Sequence, residues 1–506
     1  MRRAFVRSLI IAFVGFTAVF ALEFFLEWHR LGMPGAKQLS WAGVNNAKLV
    51  DILSPMARAY NNVLAMLLAT IGLAIPLTAN MHTPKLIDVF LRDPINRFVL
   101  SFMALGAAHV LFVDWMIGPE FAPTWAITIT VLFAMIGWAI LIPYFFYVVR
   151  FLDPSRVIVR LRDEAVDVID SVRRGRLDAN VGQDEASQRI DQIGTIVLKS
   201  LDRADRGVAR EGIWAIKKLI DSYQAQKPNL PPAWFVVDRA DFVGFSADAL
   251  DMMTTSRTWY EMRCLQQMGL AYQQALSKAS DVVSSLSDAS RVIATHAAAR
   301  NDDEALHLSI RFFNNFLREA IKARNAHAVY DVNNQYSLLA CELISRPELL
   351  REIGEHFVYY ADLARVHGLV FAPQLAVFDL GTVVRRAYEA ACPAGVGLLD
   401  HALAISHRSE HETLSLVVKA KLILGGFFVE QHREVEAERV RANLRDVDAA
   451  QIAKDCRELL DAKRVFFEVT DRQLNLEFVR PELREPLRQF CDAFAAVPAA
   501  PPATPD

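Results

Sequence analysis

The stretch FVLSFMALGAAHVLFVDWMIGPEFAPTWAITITVLFAMIGWAILIPYFFYVV, residues 98–149, decides the fold of this chain. It holds two long apolar runs, 98–116 and 124–149, and it contains no lysine and no arginine. A helix needs about 20 residues to cross a hydrocarbon core that is about 30 Å thick. Both runs are long enough, so the sequence predicts two membrane-spanning helices joined by a short polar link at residues 118–120.

Basic residues lie at both ends of this stretch, with Arg97 directly before it and Arg150 directly after it. Loops on the cytoplasmic side retain lysine and arginine, so both feet of this hairpin are expected inside the cell. Two further apolar runs precede it, and residues 45–58 are expected to form a separate short helix outside the membrane. The predicted transmembrane domain, residues 1–152, therefore has four crossings, at 7–26, 61–79, 98–116 and 124–149, with both chain ends in the cytoplasm.

The inner link between the second and third crossings carries two helix-start signals. Thr83-Pro84 and Asp93-Pro94 each place a capping side chain directly before proline, which is favoured at the first helical position. The first signal opens a short amphipathic helix that is expected to lie along the inner membrane surface. This elbow is either a packed connection between two crossings or an element that couples the membrane to the soluble part. Its candidate residues are Thr83, Pro84, Lys85, Asp88, Arg92 and Asp93.

The same region resembles a widespread bacterial family of predicted multi-pass membrane proteins of unknown function. The segments that carry the resemblance are Ala69–Ile75, Leu77-Thr78-Ala79-Asn80, Thr83-Pro84-Lys85-Leu86, Phe90-Leu91-Arg92-Asp93 and Val99-Leu100. The resemblance covers about residues 60–165. It implies several N-terminal crossings followed by a large cytoplasmic region, and it implies no catalytic residues.

Three ionisable residues fall within the predicted crossings: Glu23, His109 and Asp114. Ionisable groups in lipid are costly and are therefore candidates for function. Glu23 and Asp114 lie near helix ends, where solvation is cheap, whereas His109 lies deeper among small residues that suit close helix packing. The favoured interpretation of His109 is a hydrogen-bonded packing residue; the alternative is that His109 and Asp114 line a water-filled path.

The remainder of the chain is mainly α-helical by pattern, so the predicted fold class is mainly α: a four-helix transmembrane region and a cytoplasmic helical domain. A juxtamembrane helical region is expected at 153–226 and a helical domain at 227–492, either an irregular bundle or a solenoid of stacked helix pairs. Alternation across 464–478 predicts one β-hairpin. The proline-rich tail 493–506 is expected to be disordered.

The sequence contains little that is typical of a catalytic or cofactor-binding motif. His407-Arg408-Ser409-Glu410-His411 matches an H-x-x-E-H zinc-peptidase pattern, but it falls at a predicted helix junction and no third ligand is marked. His407, Glu410 and His411 are therefore retained only as minor metal candidates, and no cofactor is expected. The net charge of −3 argues against a nucleic-acid partner.

These observations favour a non-enzymatic scaffold or sensor in the bacterial inner membrane, whose cytoplasmic helices bind a protein partner. The mean hydropathy of +0.19 together with 22% charged residues fits such a mixed membrane and soluble chain. An oligomeric channel or transporter component is the alternative, because four helices with so few polar positions could enclose a pore only as a homo-oligomer. A zinc hydrolase is the third hypothesis. The lipid bilayer is an expected partner in every case.

Overall fold

The structure is a computed structural model, and it describes residues 17, 18, 20–27, 29, 46–81, 90, 91, 93–117, 122–237, 242, 244–408, 413–465, 472 and 475–495. Within these residues the regular structure is helical and there is no β-strand, only an isolated bridge between Arg408 and Thr413. The chain divides into two units, Met1–Val157 and Ile158–Asp506.

The first unit contains three long apolar helices: α1 (Asn46–Met81), α2 (Pro94–Met116) and α3 (Thr124–Phe151). Each is long and apolar enough to cross a membrane, α1 over Lys48–Ile75 and the other two over their whole length. Residues 20–27 are also helical, but most of the first predicted crossing, 7–26, lies outside the described residues. Three candidate spans, rather than the expected four, are therefore found in the described part of the chain.

Helix α1 differs from the sequence prediction because it is continuous over 36 residues. The expected external helix, 45–58, and the expected second crossing, 61–79, are one helix. The junction between them contains no glycine or proline, and Tyr60 there is only 1% exposed. The boundary expected between residues 58 and 61 is absent, because the tyrosine there is part of the packing.

Tyr60 packs where α1, α2 and α3 meet. Its hydroxyl donates to Met103 Sδ at 3.4 Å. A Cβ added to Gly106 of α2 or to Gly137 of α3 would lie only 2.7 Å or 2.6 Å from the Tyr60 hydroxyl oxygen. Small residues therefore make room for this ring, which is how small side chains bring membrane helices close together.

The second unit is a succession of helices joined by short links. Helix α4 (Pro154–Arg173) begins just before the division between the units and continues into this one. The others are α5 (Ala179–Asp202), α6 (Arg206–Gln226), α7 (Ala247–Ser256), α8 (Trp259–Ala275), α9 (Ser280–Ala299), α10 (Asp303–Lys322), α11 (Ala326–Glu342), α12 (Pro347–Val366), α13 (Phe371–Glu389), α14 (Gly395–Ala404), α15 (Ser415–Glu430), α16 (Glu434–Asn443), α17 (Ala449–Asp461) and α18 (Pro481–Ala495). Two 3₁₀ turns, Lys227–Asn229 and Pro232–Phe235, follow α6.

Helices α5, α6 and α8 to α15 form two layers. One layer runs α5, α8, α10, α12, α14, and the other runs α6, α9, α11, α13, α15; each helix packs on the next in its layer. The pairs α5–α6, α8–α9, α10–α11 and α12–α13 connect the layers. This is a stack of helical hairpins, the arrangement in which each unit contacts mainly its neighbours and the array presents an extended surface.

The links in the stack repeat one local design. Ala204, Asn301 and Arg324 each take a positive φ, between 50° and 58°, and so end a helix in the left-handed conformation. The residue that follows each of them is an Asp or Asn whose side chain caps the next helix, at positions 205, 302 and 325. This two-residue device turns the chain sharply enough for neighbouring helices to pack side by side.

The predicted β-hairpin at 464–478 is not confirmed. Residues 466–471, 473 and 474 lie outside the described residues, and the described ones nearby form no strand. Arg472, expected at the tip of a turn, is instead buried: its guanidinium binds both carboxylate oxygens of Asp379 in α13, at 2.6 and 3.0 Å. It also donates to the Tyr330 carbonyl at 2.6 Å, so this segment is anchored to α11 and α13.

Candidate functional site

The structure brings two of the three predicted intramembrane residues together. His109 of α2 is 2% exposed; its Nε2 lies 2.9 Å from Glu23 Oε2 and its Nδ1 lies 3.0 Å from Thr130 Oγ1 of α3. Both ring nitrogens are therefore engaged, and the imidazole joins α2, α3 and the helical residues 20–27. The phenyl rings of Phe20 and Phe133 lie 5.6 and 5.4 Å from the imidazole ring.

Asp114, the third predicted residue, stands apart from this pair. Its Oδ1 accepts a hydrogen bond from Ser54 Oγ of α1 at 2.6 Å. Sequence reasoning missed Glu27, one helical turn after Glu23. Glu27 is 3% exposed, and its Oε1 accepts from the Trp125 backbone N–H at 2.6 Å, at the start of α3. A search for acidic residues beyond the assumed end of the first crossing would have found it.

Only Asp93 of the predicted elbow lies within the described residues; Thr83, Pro84, Lys85, Asp88 and Arg92 lie outside them. Asp93 caps α2 as the Asp-Pro signal predicts, since its Oδ1 accepts from the backbone N–H groups of Ile95 and Asn96 at 3.0 and 3.1 Å. The same oxygen accepts from the Tyr147 hydroxyl at 2.9 Å. The elbow therefore ends on a side chain that fixes α2 against α3.

A groove crosses helices α8, α10 and α12 of the second unit, with a cavity volume of about 1110 Å³. The α8 wall includes Gln266, Leu270 and Gln273, and the α10 wall includes Arg311, Asn315 and Arg318. Each set follows the i, i+4, i+7 spacing that places residues on one helix face. The two walls thus expose one amide-rich edge and one basic edge to the space between them.

Arg311 and Arg318 have no carboxylate partner among the described residues. Arg318 instead lies over two aromatic rings, 5.8 Å from the Tyr359 centroid and 6.0 Å from that of Tyr360, and donates to the Tyr359 hydroxyl at 3.4 Å. Arg311 donates to Met252 Sδ at 3.7 Å. Cation–π contacts orient a guanidinium without neutralising it. Glu319 also lines the groove, but its carboxylate lies 3.3 Å from Lys322 Nζ, so the two guanidiniums remain available to an anionic ligand.

The floor of the groove is held by a buried polar group. The Tyr336 hydroxyl is 2.9 Å from His356 Nδ1 and 3.2 Å from Asn314 Oδ1, and Tyr336 is fully buried. Burial lowers the pKa of His356 although Glu352 and Glu355 oppose this effect. The hydrogen bonds of His356 to the tyrosine and the asparagine link α10, α11 and α12 at the groove. Sequence reasoning missed the groove. The signal that could have revealed it is a pair of arginines seven residues apart, Arg311 and Arg318, with no Asp or Glu three or four residues from either.

His407, from the H-x-x-E-H pattern, takes part in a different cluster. Its Nε2 lies 3.0 Å from Asp446 Oδ1 and its Nδ1 lies 3.5 Å from the Nζ of Lys421, a fully buried lysine. Lys421 Nζ also donates to the carbonyls of Leu403 and Ile405, at 3.1 and 2.8 Å, and so caps the end of α14. Burial, and then the lysine, lower the pKa of His407.

An ammonium group so close to the His407 ring does not favour a second cation there. Glu410 and His411 lie outside the described residues, and within the described ranges no group of three His, Cys, Asp or Glu side chains could hold a metal. Of the three predicted metal candidates, only His407 therefore lies in the described structure, where its ring contacts Asp446 and Lys421, the lysine that caps α14.

A second buried ionic cluster lies near the start of the stack. Lys227 Nζ is 2.8 Å from Glu261 Oε1 and 2.6 Å from Asp302 Oδ2, and Glu261 is 1% exposed. Burial raises the pKa of Glu261 to about 7 despite the nearby lysine. Burial lowers the pKa of Lys227, but the two carboxylates outweigh this and raise it above its ordinary value. Trp259 lies two residues before Glu261, and its ring packs on that of Trp234 with the ring centroids 5.1 Å apart.

A comparison with known protein families finds a match to the N-terminal part of this chain. Residues 2–201 match the profile of a family described as "Predicted membrane protein (DUF2254)". This confirms the resemblance to a family of predicted membrane proteins of unknown function, and together with the three apolar helices it identifies a transmembrane protein. No curated protein matches the chain, and no solved structure does so.

Proposed function

We propose that this chain is a membrane-anchored scaffold or sensor that acts by binding a protein partner through its helical second unit. The observation that carries the proposal is the groove across α8, α10 and α12, with two arginines that have no carboxylate partner in the described part of the chain. Stacked helical hairpins expose extended surfaces of this kind, and such surfaces serve as binding sites.

The anchor in this proposal has four crossings, with residues 7–26 as the first, and lies in the bacterial inner membrane with both chain ends in the cytoplasm. The basic residues Arg97 and Arg150, at the feet of α2 and α3, support this orientation. Reporter fusions that are active only outside the cytoplasm, placed after residues 40, 88, 120 and 160, test it. Activity after 40 and 120 alone is expected, and activity after 160 would refute it.

Site-specific photo-crosslinking of the full chain in native membranes tests the binding role. A photoreactive residue at Leu270, which is 49% exposed in the groove, should give a discrete, saturable protein adduct. The same residue at Val435, exposed on α16 away from the groove, is the matched control. No adduct at either position or elsewhere on the second unit would refute the proposal, as would a catalytic activity of the purified chain that needs no partner.

An oligomeric channel or transporter component is the second candidate, and the buried pair of His109 and Glu23 favours it. Ionisable groups placed among membrane helices commonly mark ion or proton paths. Conductance of the purified protein in liposomes, with and without membrane tension, tests this function. Current that changes in a His109→Ala variant would support a channel, and silence from folded, inserted protein would leave the scaffold as the function.

A further inference from the structure

We infer that the groove between α8, α10 and α12 binds an extended acidic segment of the partner protein, with Arg311 and Arg318 as its two anion contacts. This inference rests on the proposed scaffold function and names the chemistry of the partner. It is carried by three observations: the charge of the α10 wall, the spacing along it, and the amide side chains opposite.

The charge of the groove sets the sign of the ligand. Arg263, at the edge of the same groove, is already paired with Asp191 at 2.7 Å. Arg311 and Arg318, by contrast, have no such partner within the described residues, and Arg318 is held in place by the rings of Tyr359 and Tyr360. A guanidinium that is oriented in advance loses less side-chain entropy when it binds a carboxylate.

The spacing of the two arginines fits an extended chain. Seven residues of α-helix rise about 10.5 Å, at 1.5 Å per residue. An extended peptide advances about 3.3 Å per residue, so about three residues span the same distance. Successive side chains of an extended segment point to opposite faces, so acidic side chains an even number of positions apart share a face. A spacing of four positions spans about 13 Å, and such a pair can reach Arg311 and Arg318 together.

The amide groups of the groove suit a peptide backbone. Gln266 and Gln273 of α8 and Asn315 of α10 have no hydrogen-bond partner in the described portion of the chain. Each amide offers both a donor and an acceptor, which matches the unpaired N–H and C=O groups of an extended backbone. Leu270, half-exposed between the two glutamines, offers an apolar contact to an intervening side chain.

The shape of the groove favours a segment over a small molecule. A small-molecule site usually buries 70–90% or more of its ligand. This groove is lined by residues of three helices and is not enclosed, so an extended chain can enter it from the side. Main-chain hydrogen bonds then supply affinity, and the two arginines supply the selection for acidic sequences.

A random dodecapeptide library displayed on phage, selected against the full chain in lipid nanodiscs, tests the inference. Selected peptides should be enriched in pairs of Asp or Glu four positions apart. A synthetic copy of the most enriched peptide should bind at least about tenfold more weakly to Arg311→Gln and to Arg318→Gln, as expected for a lost charge-assisted contact. Its affinity should also fall with added salt.

Arg365→Gln is the matched control, because Arg365 is on α12, is 46% exposed, and does not line the groove. Its affinity for the peptide should stay within about twofold of the parent. Hydrogen exchange of α10 in the two groove variants should be unchanged, which separates lost binding from lost folding. Two results would overturn the inference. One is no enrichment of acidic residues among the selected peptides, and the other is undiminished peptide binding by a variant that carries both Arg311→Gln and Arg318→Gln.

A third outcome concerns a smaller ligand. If millimolar ATP alone raises the unfolding temperature in an Arg311- and Arg318-dependent manner while no peptide is selected, the groove binds a small anion and the inference is wrong. Discrete crosslinks at other positions of the second unit, with no peptide selected, would refute this inference and leave the scaffold function standing. Absence of any protein adduct would refute the function itself.

Discussion

Two buried lysines of the helical unit, one near the start of the stack and one in its last part, have opposite kinds of partner. Near the start of the stack, Lys227 contacts the carboxylates of Glu261 and Asp302, and its pKa is raised. In the last part, Lys421 contacts two backbone carbonyls and the Asn443 amide oxygen, and burial lowers its pKa to about 8 although Asp446 opposes this. Burial is similar, so the charge of the partners decides the direction.

The comparison teaches that a buried charge has a different role in each region. In the first, the lysine and two acids form an ionic network, and removal of the cation leaves acids without a counter-ion. In the second, the ammonium supplies donors to neutral acceptors at the end of α14, and its charge is a cost. Four substitutions or conditions break or sharpen this contrast.

The largest effect is expected from Lys227→Met. This change leaves Glu261, 1% exposed, without a cation, and breaking one side of a buried ion pair costs about 3–5 kcal/mol. Native-state hydrogen exchange of α8 in the full chain measures this loss, and the fluorescence of the adjacent Trp234 and Trp259 reports on it independently. A loss below about 1 kcal/mol would show that Glu261 is already neutral in the folded protein.

Lys421→Met is expected to cost less, about 1–3 kcal/mol, because it leaves neutral acceptors unsatisfied rather than a carboxylate. The Leu403 and Ile405 carbonyls and the Asn443 amide oxygen lose their donor, but the cost of burying a charge disappears as well. Hydrogen exchange of α14 and α15 measures the effect. A loss equal to that of Lys227→Met would break the contrast between the two regions.

Alkaline pH should stabilise the second region. The pKa of Lys421 is about 8 in the folded chain and 10.5 ordinarily, so the unfolded chain binds more protons between these values. Stability therefore rises with pH in this window, by about 1–2 kcal/mol between pH 8 and pH 9.5. Hydrogen exchange of α15, corrected for intrinsic rates, should show the gain in the parent and not in Lys421→Met.

The smallest effect is expected from Lys278→Met. Lys278 Nζ lies 2.6 Å from Asp202 Oδ1, the same distance as between Lys227 and Asp302, but both side chains are exposed. Exposed ion pairs contribute little because water and salt screen them. The unfolding temperature of the variant should equal that of the parent chain within experimental error. A clear decrease would mean that the distance within the ion pair, rather than burial, determines how much these lysines contribute to stability.

The sequence was sufficient for features that are encoded locally. The apolar runs 98–116 and 124–149 correspond closely to α2 (Pro94–Met116) and α3 (Thr124–Phe151). A membrane span is a run of about 20 consecutive apolar residues, so it can be recognised directly in the sequence. The cap at Asp93 followed from the Asp-Pro pair for the same reason. The mainly helical character of the second unit was likewise visible in the spacing of its apolar residues, although the hairpin predicted at 464–478 is not confirmed.

Features that depend on packing between distant residues could not be predicted from the spacing of residues along the sequence. The contact between His109 and Glu23 joins residues 86 apart, and Lys227 meets acids 34 and 75 positions away. The continuity of α1 was missed because the enclosure of Tyr60 by α2 and α3 depends on residues distant in the sequence. The groove was missed because Arg311 and Arg318 line it together with residues of α8 and α12.

The anchoring of Arg472 on Asp379 bears on how the chain is made. Asp379 is 4% exposed, and burial raises its pKa even with Arg472 bound. Its partner is synthesised 93 residues later, which at 5–20 residues per second is a delay of about 5–20 s. Through that interval Asp379 has no guanidinium partner, so the contacts that anchor this segment to α11 and α13 form only after residue 472 has been synthesised.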